Sequence, residues 1–442
     1  MPPEATFIFP HGFMWGTATS AYQVEGSNTN NNWYAWEQES GRIINGDRAG
    51  LACNWWGGRW KEDLDRAAEM GQNAHRLSIE WSRIQPHPDR WDEDALENYR
   101  RILRGMYDRK LTPLVTLHHF TDPLWFVEMG GWEKDESPGL FERYVRKAVD
   151  ALKEYAGLWL TINEPNVYVY GGYLGGGFPP GKNDLASAFR VLTNLVRAHA
   201  AAYHAIHKIQ KEARVGACIH YRAFWPKRSW FPPDLIAANL VSSNFNNAFP
   251  DALHTGRLRF LTKSIQVKEA AGTQDYFGLN YYTGEMVSFS PSARTDFFHR
   301  RSFPEGALVS PTAFLANVPQ GIGEALQWAK RFNLPILITE NGIEDDIDIL
   351  RPRYILEHLH KIWRNINHDV PVKGYFYWTL VDNFEWERGW SQRFGLWGLG
   401  DGQERIRRPS VDLYAEICTK NAFNSDMVKK YAPQVYEQIF PE

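Results

Sequence analysis

Two glutamates stand where apolar runs end. The first run is Leu158–Trp159–Leu160–Thr161–Ile162–Asn163–Glu164, followed by Pro165; the second is Leu334–Pro335–Ile336–Leu337–Ile338–Thr339–Glu340, followed by Asn341–Gly342. Each reads as a buried parallel strand that stops at a carboxylate and gives way to a loop. A lone strand-end glutamate is more often half of a structural ion pair. Two of them in one chain can converge, and converging carboxyls can cleave a glycosidic bond. Aromatic residues, 14% of the chain with 19 Trp among them, add flat faces on which sugar rings stack, although most belong to a large core.

Convergence needs a scaffold that gathers strand ends. Short apolar runs alternate with amphipathic stretches along the whole sequence. Strands are predicted at Phe13–Ser20, His75–Ile79, Thr112–His118, Leu158–Asn163, Val215–His220, Tyr276–Tyr281, Pro335–Thr339 and Gly374–Leu380. Between them, Leu96, Tyr99, Ile102, Leu103, Met106 and Tyr107 recur at helical spacing. So do Leu140, Tyr144, Ala148, Val149 and Leu152, behind a Ser137–Pro138 start signal. Asp184–Gln210 and Arg353–Ile366 supply further helices. Eightfold alternation predicts an α/β fold: a single (β/α)8 TIM barrel with long βα loops, one domain over residues 1–442. A doubly wound sheet fits less well, because no Gly-rich phosphate fingerprint follows any strand.

Composition narrows the class. The 442 residues are 43% hydrophobic with a net charge of −3, enough for a large core and without an electrostatic footprint for nucleic acid or an anionic membrane. Cys53, Cys218 and Cys418 are widely spaced and odd in number, which fits a reduced cytoplasm better than a disulfide framework. Met1–Thr6 shows neither a basic nor an apolar signal region, and no apolar stretch approaches the ~20 residues of a membrane span. A cytoplasmic protein acting on a small molecule is expected. A homo-oligomer is compatible with the sequence, which says nothing further about assembly.

At this point the motifs resemble glycoside hydrolase family 1. Thr161–Pro165 (Thr-Ile-Asn-Glu-Pro) and Ile338–Gly342 (Ile-Thr-Glu-Asn-Gly) look like its two signatures. Phe13–Ser20, Tyr22–Gly26, Asn73–Ile79, Gly278–Thr283, Trp378–Trp386 and Gln392–Leu396 support them in family order. The resemblance implies an exo-acting β-glycosidase that retains configuration, with β-glucosides as the leading substrates and β-galactosides and β-fucosides close behind. Glu340 would attack the anomeric carbon as an ionised nucleophile. Glu164 would first protonate the leaving oxygen and then deprotonate water, its pKa lifted by burial and by the charge of Glu340. Retention calls for carboxyls about 5–5.5 Å apart, inversion for about 6.5–9.5 Å.

The same resemblance implies the surrounding shell. Arg76 and Tyr282 would contact the nucleophile and favour its anion. Gln23, His119, Asn163, Asn280, Glu385 and Trp386 would hold the sugar, with Asn163 at the 2-hydroxyl, Gln23 and Glu385 sharing hydroxyls at the far side of the ring, and Trp378 as stacking floor. No metal or other cofactor is expected; the adjacent His118 and His119 lack an acidic or Cys partner at ligand spacing. Phe120 departs from the family's usual Trp and loses an indole N–H donor, which bears on the ranking of gluco, galacto, fuco and manno sugars. A carboxylate at Glu385 would repel a 6-phosphate. Two rival readings remain: a transglycosidase using the same covalent intermediate, and a non-catalytic sugar-binding relative. Relatives of the second kind replace one or both glutamates; this chain keeps both.

Overall fold

Eight parallel strands close on themselves in the computed structural model, which describes residues 5–294 and 297–441. They are β1 (Met14–Ala18), β2 (Ala74–Ser78), β3 (Thr112–His118), β4 (Leu158–Asn163), β5 (Arg214–Pro226), β6 (Phe277–Phe289), β7 (Ile336–Asn341) and β8 (Val372–Trp378). Each pairs with its neighbours in sequence, and β8 returns to β1 in a register running from Gly374 opposite Met14 to Trp378 opposite Ala18. The result is a (β/α)8 barrel, as the alternation predicts. Strands β2 and β7 are buried along their entire length, including the polar residues His75, Arg76, Glu340 and Asn341 that they carry.

A helix follows every strand: α1 (Trp60–Glu69), α2 (Glu93–Asp108), α3 (Ser137–Leu152), α4 (Leu185–Ile209), α5 (Ala248–Thr255), α6 (Pro319–Lys330), α7 (Leu350–Ile366) and α8 (Pro409–Lys420). Their starts are written in the sequence. Asp92 and Asp184 accept from the backbone N–H groups of Ala95 and Ser187 at 2.9 and 2.7 Å, satisfying first-turn donors that would otherwise lack partners. Proline in the first turn opens α3, α6 and α8, where a missing N–H costs nothing. Tyr107, placed by its spacing on the buried stripe of α2, is instead 67% exposed and rests edge-on against Tyr155. It lies in the last turn, where the helix has run past the surface that covers Met106.

Two strands run further than their apolar runs suggest. Beyond the barrel rim, β5 and β6 stay paired from Ala223 opposite Gly284 to Pro226 opposite Val287. A helix at Pro232–Ser242 packs on this extension, and a strand at His299–Ser302 pairs antiparallel with the end of β6. Elsewhere, Thr6–Ile8 pairs antiparallel with Ala422–Asn424, so segments near the two ends of the chain meet. Met1–Glu4 and Glu442, which belong to the expected 1–442 domain, lie outside the described residues, as do residues 295–296. Cys53, Cys218 and Cys418 are buried and free. Among the described residues no helix is long and apolar enough to cross a membrane, and no group of three or more His, Cys, Asp or Glu side chains could hold a metal ion.

Candidate active site

Residues at or just beyond the C-terminal ends of β3 to β8 line one cavity of about 250 Å³. Glu340 sits inside β7, one residue before its end. Both of its oxygens accept: Oε1 from Arg76 Nη1 at 2.5 Å, Oε2 from the Tyr282 hydroxyl. Arg76 reaches across the barrel from β2 and is fully buried. Nη1 also donates to the Thr339 carbonyl (3.1 Å), while Nε donates to Thr116 Oγ1 (3.1 Å) and Nη2 to Asn163 Oδ1 (2.6 Å). A buried guanidinium satisfied on so many sides is a fixed charge, and it aims at one carboxylate.

Glu164 follows β4 directly. Where a loop is expected, the chain turns at once into a short helix, Pro165–Val169, and Glu164 caps it in the left-handed conformation with φ +43°. Pro165 can open a helix but disfavours the α conformation in the residue before it, so Glu164 must turn sharply. Phe120 (φ +69°) and Trp386 (φ +50°), both on the cavity wall, share this backbone region. Each such non-glycine residue costs on the order of 1 kcal/mol, a cost that tends to gather at functional sites. Glu164 Oε1 accepts from Asn280 Nδ2 at 2.8 Å and lies 3.2 Å from His220 Nδ1.

Around this pair the expected shell divides in two. His119, Phe120, Asn163, Tyr282, Trp378, Glu385 and Trp386 line the cavity with both glutamates. Gln23, Arg76 and Asn280 are fully buried behind the wall. Gln23 Nε2 donates to the Phe384 carbonyl (2.7 Å), Glu385 Oε2 (3.1 Å) and Asn383 Oδ1 (3.2 Å), so it braces Glu385. Asn280 links Glu164 to Thr339, whose hydroxyl donates to it at 2.6 Å. The His119 ring lies nearly parallel to Trp378 and Trp386, with centroids 6.1 and 5.9 Å away. His118 turns to a different network, 3.0 Å from Asp122. Asn341 and Gly342 complete the second signature for structural reasons. Asn341 donates to the Tyr281 carbonyl (2.7 Å) and the Tyr354 hydroxyl (2.9 Å). A Cβ at Gly342 would lie 2.0 Å from the Trp378 carbonyl oxygen.

Electrostatics alter the expected division of protons. Burial pushes Glu340 up to about 7; the Arg76 guanidinium opposes this, the charge of Glu164 adds to it, and the Tyr282 and Arg76 hydrogen bonds oppose it. Burial also raises Glu164, but His220, Asn280 and Arg76 outweigh it and hold this carboxyl below the ordinary 4.5. The order is therefore the reverse of that expected for an acid at Glu164 and an anion at Glu340. The physical reason is His220, which the sequence reading left out. Glu385 is pushed well above the carboxylate range by burial and by the charges of Glu387 and Glu340. The shift weakens the like-charge repulsion of a 6-phosphate that the carboxylate is expected to exert.

Besides His220, the sequence reading missed Cys218, whose Sγ lies 2.8 Å from Asn163 Oδ1, and Arg222 on the wall. One signal was present: His220 is the last residue of the predicted Val215–His220 strand, the position that singled out Glu164 and Glu340. From the Phe297–Ala316 segment, which fits no sequence pattern, Arg301, Phe314 and Leu315 reach the wall.

Comparison with known proteins places this geometry among relatives. Residues 5–423 match the family described as glycosyl hydrolase family 1. The structure of a beta-glycosidase from Pyrococcus horikoshii superposes with a TM-score of 0.90 at 36% identity, covering 97% of this chain and 98% of that one. A beta-glucosidase from Thermotoga maritima in complex with deoxynojirimycin gives 0.88 at 32%, covering 94% and 99%. A beta-galactosidase from Saccharolobus solfataricus is 29% identical, over 95% of this chain and 97% of its own length.

Proposed function

Because the chain belongs to glycosyl hydrolase family 1 and is a β-glycosidase of that family, we propose that it removes terminal β-linked sugars with retention, by double displacement at Glu340 and Glu164. The whole chain works as one domain. The observation that carries this reading is the doubly held Glu340 facing the same cavity as Glu164. A guanidinium and a phenol both donate to Glu340 and are ready to hold its anion. Glu164 is tethered through one oxygen, so the other is left for the glycosidic oxygen.

The reaction needs one proton on the pair rather than on a particular partner. As the leaving bond stretches, positive charge grows at the anomeric carbon beside Glu340 and draws the anion to it. The proton then resides on Glu164 and passes to the leaving oxygen. Glu340 forms the glycosyl ester and its charge disappears. Glu164, now an anion, takes a proton from the attacking water, which releases the sugar with its original β configuration. β-Glucosides are the leading substrates and β-galactosides the next, matching the two activities named among the relatives. Trapping tests the assignment: a 2-fluoro sugar with an activated leaving group should label the protein once, at Glu340. Labelling elsewhere would remove Glu340 from this role.

The pair's titration gives a pH profile. Between the lowered pKa of Glu164 and the value of about 7 at Glu340, one proton is held. Above about 7 none remains for the leaving oxygen, so kcat/KM should fall as pH rises through that value. On the acid side it should fall only below the ordinary 4.5, where both groups become protonated. A descending limb above pH 9 would place the essential proton elsewhere.

Tyr282→Phe removes one donor from Glu340 without opening a cavity. A charge-assisted hydrogen bond of this kind is worth about 1.5–3 kcal/mol, so kcat should fall roughly 10–100-fold while the unfolding temperature changes by only a few degrees. An unchanged kcat would show that the hydroxyl does not act on the nucleophile.

A further inference from the structure

Strand β5 carries, just before its extension, two polar side chains that the double displacement does not use. His220 and Arg222 are two residues apart, share one face of the strand and line the cavity. Tyr221 between them points the other way, with its ring 4.9 Å from that of Trp328. His220 Nδ1 lies 3.2 Å from Glu164 Oε1, while its Nε2 is buried and has no hydrogen-bond partner among the described residues. Arg222 Nη1 donates to Glu285 at 3.2 Å, and its Nε is likewise buried without a partner. Two orphaned polar atoms, on two residues of one cavity wall, are costly unless something supplies the missing bonds.

Chemistry decides what that something is. A carboxylate oxygen can only accept, so a ring proton meets Glu164 on Nδ1, and Nε2 is the ring's remaining polar atom. Arg222 Nε is a donor. A hydroxyl, which both donates and accepts, suits the pair in either state of the ring. The ring is wedged against Tyr282 and Phe245, with centroids 5.5 and 5.8 Å away, so it cannot turn Nε2 elsewhere without leaving Glu164.

We propose that His220 is a positioning and specificity residue: its Nδ1 fixes Glu164 while its Nε2, with Arg222, reads a hydroxyl on the leaving group beside the glycosidic oxygen. The favoured leaving group is then a hydroxylated ring, a second sugar residue above all, rather than a bare alkyl or aryl alcohol. This rests on the assignment of Glu164 as acid.

The test compares two β-glucosides, of trans-cyclohexane-1,2-diol and of cyclohexanol, whose leaving groups differ by one hydroxyl. The parent protein should prefer the diol glucoside about tenfold or more in kcat/KM, the size of one well-made hydrogen bond. His220→Phe should bring that ratio near one and lower both rates. His220→Gln, which can donate to Glu164 and offer an oxygen to the cavity, should restore part of the preference. The kcat/KM of a 2,4-dinitrophenyl β-glucoside, whose first displacement needs no acid, should change less than about threefold in either variant and so reports an intact fold and nucleophile. An unchanged ratio in His220→Phe, or no preference in the parent, would overturn the proposal and leave the proposed function standing. Failure of that function would look different: Glu164→Gln would lose the dinitrophenyl and cyclohexyl substrates equally.

Discussion

Glu340→Gly is expected to lose turnover of an aryl β-glucoside by on the order of 10⁵-fold or more, and azide or formate is expected to restore part of it. Without the carboxylate, nothing attacks the anomeric carbon from the face opposite the leaving group. The glycine leaves a space beside Arg76 Nη1 and the Tyr282 hydroxyl, the two donors that held the side chain. A small anion entering that space meets the same two donors and takes over the attack. Only one displacement then occurs, so the product is an α-glycosyl azide, and the inverted product separates rescue from contamination by parent enzyme. Burying Arg76 without its partner is itself destabilising by about 3–5 kcal/mol, so folding of the variant must be shown by its unfolding transition. Absence of rescue in a folded variant would count against Glu340 as nucleophile.

Glu164→Gln is expected to divide substrates by the leaving group. An amide cannot donate a carboxylic proton, so glycosides of sugars or alkyl alcohols should lose about 10²–10⁴-fold, the usual contribution of general acid catalysis. A dinitrophenyl leaving group departs as a stable anion and should lose about tenfold or less in its first step. Release of the glycosyl-enzyme then becomes slow for want of a base. Added azide needs no deprotonation and should accelerate that release, giving a β-glycosyl azide. The two azide products, α from the Glu340 variant and β from the Glu164 variant, distinguish the roles within one experiment. Equal losses for both leaving groups would take Glu164 out of the acid role.

Much of this site is written locally in the sequence, because barrel strands buried on both faces read as short apolar runs and their last residues project into one cavity. That is why Glu164 and Glu340 are legible from chain position; Arg76, Asn163, Tyr282 and Trp378 follow from the resemblance to glycoside hydrolase family 1, and the fold puts them in or directly behind the same cavity wall. The remainder depends on contacts that no single run contains. His220 ends a strand as plainly as the two glutamates do, yet its meaning comes from lying beside Glu164, and so the reversed order of the two carboxyl pKa values is invisible in the sequence. The raised pKa of Glu385 arises in the same way, from burial together with Glu387 and Glu340. Gln23 and Asn280 were expected to touch sugar; the fold instead puts them behind the wall, bracing Glu385 and Glu164. The left-handed turn at Glu164 follows from the restraint of Pro165 together with a helix that starts at once, and only the structure shows the second of these.

The central claim is retention by two successive displacements, and the most direct measurement is proton NMR of the sugar as it is first released from 4-nitrophenyl β-glucoside, before mutarotation. The account predicts that β-glucose appears first. Early α-glucose would mean a single displacement with inversion, and the pairing of Glu340 as nucleophile with Glu164 as acid and base would be wrong.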